Sequence, residues 1–274
     1  MADFKLKIGI NNCTNEEYHG DKSFLSSSSY KLLTKDPSMF EEQFIKGNRP
    51  DVKPSTQNIF DEGTLAHSLI LEPDTVEDEF EFFDGFRKAG KLWEEFKSEH
   101  GDSGKILMSK AQKMKVERWV ESCKKREQVL KLIQGGFPEH TVAGDFMGIP
   151  TKVRADYINV EKGYIVDVKT TAYGSDRDSF ISTIADFSYD LSAALYCNLF
   201  AQYYNKSFDF YFYVLGKRDA SCEIYRASGD TIDRGMNKLR LAASLYKRCQ
   251  KSGVWKSPDI KKILDNEDYE ILEV

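Results

Sequence analysis

Apolar residues recur along this chain at two periods, and the change from one to the other organises it. In SFLSSSSYKLLTKDPSMFEEQFIKG, residues 23–47, they return about every 3.6 positions behind a run of serines, which predicts serine-capped helix with Gly47 as the stop. A polar, proline-containing linker is expected over 47–55, then a helix over about 61–71 that Glu72-Pro73 ends. After a long charged stretch, a helix is expected over about 109–133, broken by Gly135-Gly136. The period then shortens to two. TKVRADYINV (151–160) and YIVDVKTT (164–171) read as strands joined by a hairpin turn at Glu161-Lys162-Gly163. Helix returns over about 178–204, followed by the aromatic strand FDFYFYVLG (208–216), a short strand near 222–226 and a helix over about 231–250. The pattern is strand–strand–helix–strand inside a helical surround, with no internal repeat. It predicts one α/β domain over 1–274, mainly helical over 1–135 and mixed over 136–274.

The strand YIVDVKTT holds an aspartate and a lysine in an otherwise apolar, β-branched run. Alternate residues share a face, so Tyr164, Val166, Val168 and Thr170 point one way and Ile165, Asp167, Lys169 and Thr171 the other. A surface ion pair on an amphipathic edge strand would read the same way. The hairpin adds a second carboxylate. A turn centred between Glu161 and Lys162 pairs positions whose numbers sum to 323, which sets Asp156 across from Asp167 at about 5 Å between Cβ atoms. A glycine bulge at Gly163 would slip that register by one. Two carboxylates so close raise one another's pKa unless a cation lies between them. Lys169 answers part of this; a divalent ion answers it better, and hard oxygen ligands select Mg²⁺ or Mn²⁺ over zinc.

Composition narrows the classes. With 18 Phe and 14 Tyr and no low-complexity tract, the chain folds. Its five cysteines are scattered and never paired as CxxC, which argues against zinc ribbons, iron–sulfur clusters and a disulfide framework and suits a reducing cytoplasm. No stretch has the length of a membrane span, so no membrane is expected as a partner. Net charge is −5, which excludes a uniformly basic nucleic-acid binder. The charge is uneven, however: residues 61–81 hold eight acidic residues and no Lys or Arg, and 105–131 hold nine basic against three acidic. That basic run is either a solvated helix face or a strip that meets phosphates through Lys113, Arg118 and Lys125.

Ala155-Asp156, ten residues, then Asp167-Val168-Lys169 resembles the PD-(D/E)XK signature of metal-dependent nucleases, with alanine in place of proline. NEEYHGDKSFLSSSSYKLLTKDPSMF (15–40), FDEGTLAHSLILEP (60–73), RKAGKLWEEFKSEHG (87–101) and KVRADY…IVDVKTT follow one another as in the exonuclease VIII (RecE-type) branch, related in fold to lambda exonuclease. The resemblance covers about 15–216. It implies a restriction-endonuclease-like core, a central mixed β-sheet flanked by helices, with an N-terminal helical region. It implies Asp156 and Asp167 as catalytic metal ligands helped by the Val168 carbonyl. Lys169 would be the catalytic lysine, holding the attacking water or stabilising developing phosphate charge. His67, in Gly63-Thr-Leu-Ala-His67, would add an imidazole ligand. Glu139, in FPEHTV, would be a further acidic ligand or an exposed loop carboxylate.

The branch commonly has Gln-x-x-x-Tyr on the following helix; here the positions are Ser192 and Tyr196, so Tyr196 is expected to do more of the DNA positioning, beside Arg154 next to the signature aspartate. The implied activity is Mg²⁺-dependent 5′-to-3′ digestion of double-stranded DNA ends, with Mn²⁺ as a substitute. It would leave a tail for a single-strand annealing protein. The implied form is a homo-oligomeric ring in the cytoplasm of a bacterial or phage-infected cell. The alternatives are a structure-dependent endonuclease, a CRISPR-adaptation-type nuclease, or a catalytically silent DNA-binding subunit of the same fold.

Overall fold

The computed structural model describes residues 5–172 and 174–256. Its first strand, β1 (Gly9–Asn11), precedes helices α1 (Asn15–Gly20), α2 (Ser27–Lys35) and α3 (Pro37–Phe40), the last running into a π-helical turn over Glu41–Ile45. Asp36 separates α2 from α3: it is extended, its carboxylate accepts the Ser38 N–H, and Pro37 takes the first helical position, where no N–H is needed. The same device starts α4 (Pro54–Leu71) at Pro54, earlier than the apolar period alone indicates. Helices α5 (Val76–Glu79) and α6 (Lys91–His100) and the parallel strands β2 (Phe80–Phe83) and β3 (Ile106–Ser109) occupy the charged stretch, where the periodicity gives no element. Ser109 and Gln112 form a capping box for α7 (Lys110–Lys124). The helix expected to 133 is two: Arg126 is extended and divides α7 from α8 (Glu127–Leu132).

The remaining elements are β4 (Phe137–Phe146), β5 (Ile149–Asn159), β6 (Tyr164–Thr171), α9 (Arg177–Asp186), α10 (Tyr189–Tyr204), β7 (Asp209–Gly216), β8 (Cys222–Arg226) and α11 (Gly229–Ser252). Strand β4 is an addition to the sequence reading. It turns into β5 through Met147-Gly148, both at positive φ (54° and 78°), the primed geometry that suits a two-residue hairpin, and Asp145 Oδ1 accepts the Gly148 N–H at 2.7 Å.

The central sheet runs β1-β4-β5-β6-β7-β8, antiparallel throughout except between β6 and β7, which the α9–α10 crossover connects. It is the mixed sheet flanked by helices that the sequence predicts. Helices α2, α9, α10 and α11 cover one face around Ile165, Phe210 and Phe212; α4 and α7 cover the other around Val166, Val168 and Tyr213. Each such fully buried side chain contributes roughly 1.5–3 kcal/mol. The alternation read in β6 is therefore observed, with Asp167 and Lys169 on the α2–α10 side. The β5–β6 register is also as derived: Tyr157 pairs Val166, Ile158 pairs Ile165 and Asn159 pairs Tyr164. Gly163 sits at φ 73° in the connecting loop and causes no slip. Among the described residues no helix is long and apolar enough to cross a membrane.

Candidate active site

The β5–β6 ladder stops at Tyr157 and Val166, and the charged residues begin where it stops. Asp156 and Asp167 are next in register but are not ladder partners. Instead the Val168 N–H donates to Asp156 Oδ2 at 2.7 Å, so a carboxylate stands where a strand carbonyl would be. Asp156 meets His67 of α4, and Asp167 meets Lys169 two residues along β6. On the other edge of β5, Pro138 pairs Tyr157 and His140 pairs Ala155, which puts Glu139 at the position facing Asp156. Glu139, Asp156 and Asp167 thus lie in consecutive register across three strands. Glu139 is not an exposed loop carboxylate; it sits in β4 at φ 47° and accepts Arg154 Nε–H at 2.6 Å.

Helix α4 brings His67 to the fork. Its Nδ1 lies 2.8 Å from the Gly63 carbonyl, and its Nε2 lies 2.9 Å from the Val168 carbonyl and 3.2 Å from Asp156 Oδ2. These oxygens only accept, so both ring nitrogens carry protons and the ring is an imidazolium. Burial alone would lower the His67 pKa, but Asp156 outweighs burial and lifts it to about 9. Burial conversely pushes Asp156 up, and His67, Lys169 and the Val168 N–H overcome that and hold it below the usual carboxylate range.

Asp167 is ion-paired with Lys169, and both are largely buried. Burial raises Asp167 above the usual range, opposed by Lys169 and reinforced by Asp156; burial also disfavours the Lys169 ammonium, yet the two aspartates more than compensate and keep it charged. Glu139 is lifted to about 7 by burial and by Asp156, against Arg154 and His67. One further cation reaches this cluster. Lys31 of α2 places Nζ 5.0 Å from the Tyr189 ring centroid, and Lys169 Nζ is 5.1 Å from the same ring. No local signal in the sequence marks Lys31, because packing of α2 on α10 and α11 delivers it.

His67, Glu139, Asp156 and Tyr189 line a cleft of about 1180 Å³ between α4 and the α9–α10 corner. Its walls hold eight carboxylates against His67, Lys115, Arg154 and Lys217. Lys115, not predicted, projects from α7 onto the buried Glu62 at 2.8 Å. The other α7 cations lie elsewhere. Lys113 sits 4.2 Å from the Phe82 ring centroid, while Arg118 and Lys125 are exposed outside the cleft. Ser192 is 5% exposed inside the helical layer, so its place beside Tyr196 in a DNA-binding pair is corrected: a buried serine has no surface to offer a duplex. Tyr196 packs edge-on against Phe210 (6.1 Å, 70°) beneath the carboxylates, and burial raises its hydroxyl pKa well above the ordinary value. Arg154 lines the cleft beside Glu139, and its buried Nη1 has no hydrogen-bond partner among the described residues.

The donor set suits a hard divalent cation. His67 Nε2 lies 2.9 Å from the Val168 carbonyl and 3.2 Å from Asp156 Oδ2, so the three converge, and once a metal displaces the Nε2 proton the Nδ1–H to Gly63 bond would hold the ring as metal-binding histidines require. Asp167 Oδ2 is buried with the Lys169 ammonium as its partner. Among those residues no three side chains of His, Cys, Asp and Glu form a closed ligand set; the candidate centre combines side chains with one backbone oxygen.

A sequence profile described as "PDDEXK-like domain of unknown function (DUF3799)" matches residues 26–259. The chain also resembles, over 96% of its length and 97% of the other chain, a Eubacterium rectale protein described as "Putative exonuclease" (TM-score 0.64, 17% identity). At that identity the likeness is one of fold. A phage related exonuclease from Haemophilus somnus covers 84% of this chain and 96% of its own at 10% identity, and its TM-score of 0.36 supports no argument. No curated protein matches the chain.

Proposed function

The chain belongs to the PDDEXK-like family DUF3799, and from that membership we propose that it is a Mg²⁺-dependent exonuclease, with Mn²⁺ as a substitute, that digests double-stranded DNA from 5′ to 3′. The observation that carries the reading is the fork between β5 and β6, where Asp156, the Val168 carbonyl and His67 converge beside the Asp167–Lys169 pair. Nucleases of this superfamily generally use divalent metals. Asp156, Asp167, the Val168 carbonyl and His67 would hold the ion, with Glu139 in the adjoining register. Bound there, it would supply Lewis acidity and charge neutralisation at the scissile phosphate.

The chain's own residues supply the rest. Lys169, kept protonated by two aspartates, is placed to hold the attacking water and to stabilise negative charge growing on the phosphate. Its place on a strand, two residues from Asp167, leaves the two groups little freedom relative to one another. Arg154, in the cleft wall beside Glu139, adds positive charge on the side from which a phosphate would enter. Polarity rests on the resemblance of the residue blocks to the exonuclease VIII branch. In this reading the working form is a homo-oligomeric ring on duplex DNA, and the tail goes to a single-strand annealing protein.

End-labelled linear duplex, with 5′ or 3′ ends blocked in turn, tests the reading. Digestion in Mg²⁺ should stop when 5′ ends are blocked, continue when 3′ ends are blocked, and vanish with a chelator. Cleavage of covalently closed circles would instead support the endonuclease alternative.

A further inference from the structure

Phe187, Ser188 and Tyr189 make the corner between α9 and α10, and both aromatic residues line the cleft. Ser188 is left-handed (φ 48°, ψ 48°), a conformation that a residue with a Cβ adopts at a cost. That corner stacks the rings of Phe187 and Tyr189, 5.7 Å apart between centroids and 22° between planes. Tyr189 is held from the core by Phe180 and Phe212, each 6.4 Å away. Phe187, by contrast, is 60% exposed. An uncovered aromatic face in a wall rich in carboxylates does nothing for the core.

Tyr189 also connects this face to the reacting end of the site, because the Lys31 and Lys169 ammonium groups both lie about 5 Å from its ring centroid. Lys169 has Asp167 as counter-ion. The Lys31 ammonium makes no ion pair among the described residues, and burial together with Lys169 lowers its pKa to about 8, against the more distant Asp167 and Asp190. A half-buried cation that makes no ion pair of its own among the described residues and shares the Tyr189 ring with Lys169 fits an anion that arrives with the substrate.

We propose that Phe187, Tyr189 and Lys31 form a nucleotide subsite for the strand being cut. An unpaired base stacks on Phe187, and the phosphate next to the scissile one pairs with Lys31. The proposal rests on the nuclease reading above and adds a substrate requirement: stacking needs a base freed from its complement, so the cleft takes a frayed strand rather than intact duplex.

A single-stranded oligonucleotide carrying 2-aminopurine, titrated in chelator, reports the stack without cleavage. Wild type should quench its fluorescence. Phe187→Ala should abolish the quenching and raise KM for duplex digestion in Mg²⁺ about tenfold, with kcat nearly unchanged, and Phe187→Trp should restore both. Lys31→Met should raise KM by about the same factor, and Lys31→Arg should recover most of it. Quenching that survives Phe187→Ala, or a KM unmoved by Lys31→Met, overturns the subsite. The failure of the two readings is distinguishable: a wild type that cleaves no DNA removes the nuclease reading, whereas a Phe187→Ala protein that cleaves as well as wild type removes only the subsite.

Discussion

His67 has an oxygen acceptor at each ring nitrogen, so in the metal-free protein it serves as the cation that Asp156 needs. Its pKa is raised from an ordinary 6.5 to about 9. A raised folded-state pKa gives stability that is complete below 6.5 and is lost as pH climbs through 9, up to about 3 kcal/mol in all. Melting of the metal-free protein between pH 6 and 10 should therefore show a decline that His67→Ala flattens. In cleavage, the same substitution should raise the Mg²⁺ concentration for half-maximal rate about tenfold or more. The Asp167–Lys169 pair behaves differently. Removing the carboxylate strands a buried ammonium, so Asp167→Ala should cost about 3–5 kcal/mol as well as activity, read by denaturant unfolding. Strand alternation and the hairpin sum placed Asp156, Asp167 and Lys169 near one another, while a surface ion pair read the same way until the family resemblance gave them roles. His67 came through its motif alone, and Lys31 had no local signature.

Among the elements, the β5–β6 hairpin was legible because a short loop fixes register once its centre is known. Strand β4 was hidden by Pro138 and the left-handed Glu139, which interrupt its alternation, although Met147-Gly148 was the turn signal that could have found it. The β2–β3 pair escaped because parallel strands joined through a helix leave no short-range pattern. Two helices carry predictions. On α10, Ser192 is buried, so Ser192→Gln overpacks and should destabilise by about 1–3 kcal/mol, measured by thermal melting; an unchanged melt would mean that the side chain finds open space. On α7 and at its C-terminal cap, Arg118 and Lys125 are exposed while Lys113 is engaged with Phe82. If α7 meets phosphates, neutralising Arg118 and Lys125 should flatten the salt dependence of DNA binding by about two units, and Lys113→Ala should add little. An unchanged slope makes α7 a solvated face.

At the scale of the molecule, a net charge of −5 and a cleft walled by eight carboxylates oppose entry of a polyanion. Local cations must offset that field: Lys169, Lys31 and Arg154 from the chain, and the divalent ion that the fork is suited to hold. The α/β class was readable from the helix and strand periods, and the mixed sheet under helices from the resemblance to PD-(D/E)XK nucleases. The cleft was not, because it forms where α4, β4 and the α9–α10 corner meet from distant parts of the chain. The central claim is that the fork between β5 and β6 is a metal-dependent phosphodiesterase centre. Its most direct test is the single-turnover cleavage rate of labelled linear duplex across a Mg²⁺ titration, for wild type and Asp156→Ala side by side. Wild type should cleave with a saturable Mg²⁺ dependence, and Asp156→Ala should fall by a factor of roughly 100 or more at every concentration. Equal rates for the two proteins, or wild-type cleavage that persists in chelator, would contradict it.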